Sequence, residues 1–153
     1  MTESLILPRQ AGEVEIGYVV NETGTTQATP AVGTYVDVNG LSIVVPPQIR
    51  PVWIEWGFLV DVTAAPGAGF TSNVDSYVFD EDDVILGGQS VIVGPNGVLG
   101  NPSVLGKCRV GVPTEEKTYR IRWTRTGNAT FTGNIFHGAI HPAFRSWMSA
   151  ILR

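Results

Sequence analysis

The chain is short of charge and sulfur, and it has no long apolar run. Its 153 residues include one cysteine, two methionines and two histidines, and only 16% are Asp, Glu, Lys or Arg, against about 25% in typical soluble domains. A single cysteine excludes an internal disulfide. That residue, Cys108, shares a strand face with Val110 and Val112 in KCRVGV and reads as a buried, inert thiol. No stretch approaches the 18 or so apolar residues of a membrane span. The opening MTESLILPRQ lacks a basic leading segment and has only three adjacent apolar residues before Pro8, so it does not read as a secretion signal. The expectation is a soluble protein of a reducing compartment. A net charge of −4 argues against nucleic acid as a partner, which needs a basic face to neutralise phosphates.

What is present is β-patterning. In Val52–Val62, VWIEWGFLVDV, the residues Val52, Ile54, Trp56, Phe58, Val60 and Val62 make one face wholly apolar. The other face, Trp53, Glu55, Gly57, Leu59 and Asp61, is mixed. This is a long antiparallel strand with one face in a core. In 118–125, Tyr119, Ile121 and Trp123 share the core face, and Arg120 and Arg122 a solvated or interfacial face. Val14, Ile16, Tyr18 and Val20 read as one face of a first strand. Asn39-Gly40 between Tyr35–Val38 and Leu41–Val45 is a hairpin signal, because both residues tolerate positive φ. The prolines of Val45–Pro51 cannot donate to a ladder, so this stretch connects one sheet to the other. Eighteen glycines and ten prolines suit many short strands joined by turns.

The pattern predicts an all-β fold: a jelly-roll-like β-sandwich of about eight to nine antiparallel strands. Residues 1–12 read as an extended N-terminal arm, 13–140 as the sandwich domain and 141–153 as a C-terminal tail. In that tail Phe144, Trp147, Met148, Ile151 and Leu152 follow the spacing i, i+3, i+4, i+7, i+8, which predicts a short amphipathic helix. Two or three turns are marginal alone in water, so the segment must pack on its own core or on a partner. The apolar strip Leu5, Ile6, Leu7 and the helical residues Phe144, Trp147, Met148 and Ile151 are therefore the candidate assembly interface.

Chemistry is sparse. Asp80, Glu81, Asp82 and Asp83 are oxygen ligands of the kind calcium uses, but they lack the alternating spacing and glycine of a calcium loop and read as a solvated hairpin turn. His137 and His141 have zinc-like spacing, yet Gly138 and Pro142 argue against the helix that would pair them. No nucleophile motif is present, so no catalytic residue, metal or cofactor is expected. Glu55 beside Trp53 and Trp56 suits sugar contact, which makes Trp53 and Glu55 candidates for binding a host surface or a glycan. The glycosylation-type triplets Asn21-Glu22-Thr23 and Asn128-Ala129-Thr130 read as chance matches.

The run Val36–Pro47 (VDVNGLSIVVPP), then Arg50–Glu55 (RPVWIE), Thr118–Arg125 (TYRIRWTR) and His141–Phe144 (HPAF) resemble small jelly-roll virion proteins of tailed actinobacterial phages. The resemblance covers most of residues 35–144. It implies a non-enzymatic structural subunit, a minor tail or fibre-head protein, forming homo-oligomers, most often trimers, alongside other virion proteins. Its place would be the virion, assembled in the bacterial host cytoplasm. A capsid decoration protein is the alternative within that class, and a carbohydrate-binding module is the alternative outside it.

Overall fold

The computed structural model describes residues 11–64, 71–93, 101–127, 132–138 and 145–153. Among them are ten strands and no helix: β1 (Val14–Asn21), β2 (Thr25–Ala28), β3 (Val36–Val45), β4 (Val52–Ala64), β5 (Ser72–Phe79), β6 (Ile85–Val93), β7 (Ser103–Gly111), β8 (Lys117–Gly127), β9 (Thr132–His137) and β10 (Ser146–Leu152). They pair antiparallel in two sheets. The larger has the order β1-β10-β4-β9-β2, with β7 also on β4; the smaller has the order β3-β8-β5-β6. The first half of β4 pairs with β10 and β7, and its second half with β9. The proline-rich connection from β3 to β4 carries the chain between sheets, as the missing amide donors require.

Both sheets contribute to one core. Val52, Ile54, Trp56, Phe58, Val60 and Val62 of β4 are all buried there, as the period-two pattern predicts. Opposite them lie Ile43, Val74, Val78, Tyr119, Ile121 and Trp123 of the smaller sheet. Trp56 donates its indole N–H to Ser76 Oγ at 2.9 Å, which satisfies a buried donor from the facing sheet. Cys108 is in the same core, and burial raises its thiol pKa.

Three local expectations change. The first concerns the tail. Residues 146–152 form strand β10, between β1 and β4, where a helix was expected. Met148 and Ala150 enter the core. Trp147, Ser149 and Ile151 face the other way and are also buried. A short strand that is covered on both faces shows no alternation, so its apolar run mimics helical spacing. The helical face that would join Trp147, Met148 and Ile151 on a partner does not exist. Phe144, with Leu5, Ile6, Leu7 and His141, lies outside the described residues.

The second is Asn39-Gly40, which makes no hairpin. β3 runs through it as one strand, with the register on β8 shifting between Asp37 and Ser42. Gly40 has φ 77°, the left-handed conformation that a glycine bulge uses. The third is β1. Its register slips between Glu15 and Gly17, so Ile16 and Val19 pack on the core while Tyr18 and Val20 stay exposed.

Candidate functional site

The outer face of the larger sheet can be read as rows across four strands. In one row Tyr18, Ser149, Glu55 and Lys107 lie side by side; in the next, Val20, Trp147, Gly57 and Leu105. Ile151, Trp53 and Arg109 make a third. Trp147 lies across Gly57: a Cβ there would sit 2.6 Å from the indole Nε1, so only glycine leaves room for the ring. Glu55 is 2% exposed. Lys107 Nζ holds its Oε1 at 2.5 Å, and Arg153 Nη2 lies 3.8 Å from the same oxygen. Arg153 also pairs with the buried Glu13.

Trp53, half-buried, has the Lys107 ammonium 5.5 Å and the Arg153 guanidinium 5.0 Å from its ring centre. Both cations therefore serve a carboxylate and an aromatic ring at once. Of the sugar-contact candidates, Trp53 keeps partial access, Glu55 is committed to Lys107, and Trp56 points into the core. The geometry braces three strands, and it offers neither an open carboxylate nor a free aromatic platform.

The outer face of the smaller sheet is built differently. Tyr35 meets Tyr77 and Phe79 edge to face at 5.7 and 5.5 Å. The Arg122 guanidinium lies 4.7 Å from the centre of the Phe79 ring. Tyr77 covers Gly88 of the neighbouring strand, where any Cβ would collide with its ring. Arg122 Nε donates to Asp37 Oδ1 at 2.7 Å, and its Nη2 lies 2.9 Å from Asp83 Oδ1. Arg120 pairs with the same Asp83. Arg120 and Arg122 thus share the outward face expected of them, and both are matched by acids.

The carboxylates of 80–83 do not converge. Asp80 Oδ1 accepts from the amides of Asp82 and Val84 at 3.0 and 2.9 Å and so shapes the β5–β6 turn. Asp83 turns to the arginines. Glu81 accepts from Lys117 Nζ at 2.5 Å; that bond holds the Glu81 carboxyl below its usual range. Bonds to Glu81 and then Glu115 hold the Lys117 ammonium above its own. Among the described residues no three His, Cys, Asp or Glu side chains group to hold a metal.

His137 is fully buried at the end of β9. Its Nδ1 lies 2.8 Å from Ser146 Oγ, its Nε2 has no partner among the described residues, and burial pushes its pKa down. It ties β9 to β10 as a neutral ring. Asn21 is occupied internally, donating to Asn39 O at 2.8 Å and accepting from the Thr23 amide at 3.1 Å.

Sequence reasoning missed the concavity beside the β3 bulge, about 500 Å³, on the open face of the smaller sheet. Its signal was the Asn39-Gly40 pair, read as a turn.

No family model matches the chain, and no curated protein matches it. Solved structures do align with it. The VP2 subviral particle of infectious bursal disease virus is 12% identical with TM-score 0.41, over 94% of this chain and 38% of that one. The Gt strain of the same virus gives 9% identity and TM-score 0.39, over 94% and 38%. The enzymatically active domain of tailspike protein 4 from bacteriophage CBA120 gives 11% identity and TM-score 0.31, over 85% and 19%. The chain thus spans well under half of each of these proteins. At such scores the likeness assigns neither family nor function.

Proposed function

We propose that the chain is a non-enzymatic structural subunit of a phage virion, of the minor tail or fibre-head kind, working as a homo-oligomer, with three copies the expected number. The supporting observation is the strand order. With β2 and β9 set aside, β1-β10-β4-β7 faces β3-β8-β5-β6, the interleaving of a jelly roll. This is the architecture that the resemblance over residues 35–144 implies. Four ion pairs on the outer faces support the same reading, because Glu55–Lys107, Glu81–Lys117, Asp83–Arg120 and Asp37–Arg122 brace strands and turns. Edge strand β1 leaves Val14, Tyr18 and Val20 exposed; together with Leu5–Leu7 it is the proposed contact with a second copy.

Native mass by light scattering tests the oligomer: about three times 16.4 kDa is expected, and a monomer at every concentration overturns it. Immunogold labelling of particles tests the place. Gold on tails is expected, and gold on heads overturns the tail assignment in favour of a decoration protein.

A further inference from the structure

The concavity beside the β3 bulge is a built feature. Two side chains from outside the smaller sheet fix its rim. The Gln27 carboxamide donates to Asp37 O at 2.5 Å and accepts from the Asn39 amide at 3.0 Å, much as a neighbouring strand would. Asn21 donates to Asn39 O. The bulge is therefore held in one shape, which lowers the ordering cost of any ligand that uses it.

Its lining decides the ligand class. The two apolar lining residues, Val38 and Leu41, are each 1% exposed and point into the core. What reaches the concavity is backbone and the polar side chains of Asp37, Asn39, Ser42, Glu81, Thr118 and Arg120. Neither apolar side chain opens into the concavity, so its wall is polar groups mixed with the carbon of the backbone and of side-chain stems. Each charge already has a counter-charge: Asp37 with Arg122, Glu81 with Lys117, and Arg120 with Asp83. An ionic ligand would have to break a pair. The Ser42 and Thr118 hydroxyls carry no hydrogen bond among the described residues.

We infer that this concavity binds a neutral saccharide, its hydroxyls meeting Asn39, Ser42, Thr118, Arg120 and the carboxylates of Asp37 and Glu81. The site does not depend on the virion reading, which native mass and labelling test separately. It also differs from the Trp53–Glu55 pair, which lies on the other sheet.

The test is an amide-resolved NMR titration of the full chain. The probes are neutral mono- to tetrasaccharides of glucose, galactose, mannose, rhamnose and N-acetylglucosamine, with sialyllactose and a heparin disaccharide as charged comparators, each at up to about 10 mM, where millimolar affinities register. The expected result is saturable shifts at Ser42, Glu81, Thr118 and Arg120 with at least one neutral sugar. Arg120→Gln should weaken that binding at least about tenfold, the scale of one lost hydrogen bond to a charged group. Ser42→Trp, at an exposed position, fills the concavity and should abolish binding in a chain that keeps its spectrum, so the test survives if the Arg120 variant fails to fold. No shift with any neutral sugar, shifts centred on Trp53, tighter binding of the charged comparators, or undiminished binding by Ser42→Trp each overturns the inference.

Discussion

The two outer faces of the sandwich use the same residue types in opposite ways. On the larger sheet, the Glu55 side chain is 3% exposed, beneath Lys107. On the smaller sheet, Asp37 and Asp83 meet their arginines at 53% and 59% exposure. The larger sheet's outer face hides Glu55, and the smaller sheet's displays Asp37 and Asp83 while burying Asp75 beside Thr126. The contrast shows that an ion pair's contribution follows from its surroundings. Removing one partner of a buried pair strands a charge at a cost of about 3–5 kcal/mol. An exposed pair contributes about 0–1 kcal/mol. The Glu55–Lys107 pair therefore holds strands together, and the Asp37 and Asp83 pairs lie where solvent reaches them.

The contrast is sharpest at the aromatic rings. Trp147→Ala should cost about 3–5 kcal/mol, the range for a buried large side chain, because the ring fills the space over Gly57. Tyr35→Ala, on the smaller sheet's outer face, should cost far less; chemical denaturation of both variants measures the difference. Equal losses would mean that this face is sealed as tightly as the larger sheet's.

Lys107→Met comes next, at about 3 kcal/mol, since it leaves Glu55 buried with only Arg153 at 3.8 Å. Replacing Glu55 and Lys107 together by Met should recover most of the loss, as buried pairs tolerate well-packed apolar exchange. A double variant no better than the single one would show that the stranded charge is not the cause.

His137 gives a pH-dependent effect. Its folded-state pKa lies below the ordinary 6.5, so the unfolded chain takes up the proton first. The contribution is full above about 6.5 and is lost as pH falls toward the folded-state value. Melting temperatures measured from about pH 7 to about pH 5, above the range where ordinary carboxylates titrate, should fall in the parent chain. They should stay flatter in His137→Gln.

The smallest effect belongs to the smaller sheet's outer face. Asp37→Asn should cost less than about 1 kcal/mol, and added salt should shrink even that. A salt-independent loss of several kcal/mol would erase the distinction between the faces.

Much of the framework is legible in the sequence. The alternation in β4 and β8 names their core faces residue by residue, because a strand with one wet face must alternate. The prolines of 46–51 mark the crossing between sheets, and the acidic run 80–83 marks a turn. Other features depend on neighbours. Nothing local to Glu55 says that Lys107, from a strand about fifty residues later, will pair with it. The concavity needs Asp37 and Ser42 of β3, Thr118 and Arg120 of β8 and Glu81 of the β5–β6 turn in one place.

By itself the sequence determined the class: an all-β chain, its principal core strands and the polarity of the face carrying Arg120 and Arg122. Periodicity and proline chemistry act locally, so they can be read locally. Tertiary structure alone decided that residues 146–152 form a strand, because β1 and β4 take both of its edges while both of its faces are buried, and an apolar run covered on both faces has no period to read. It likewise decided that Asn39-Gly40 is a bulge, because β8 continues alongside it while Gln27 and Asn21 satisfy its backbone groups. In both places the conformation is set by partners distant in the chain.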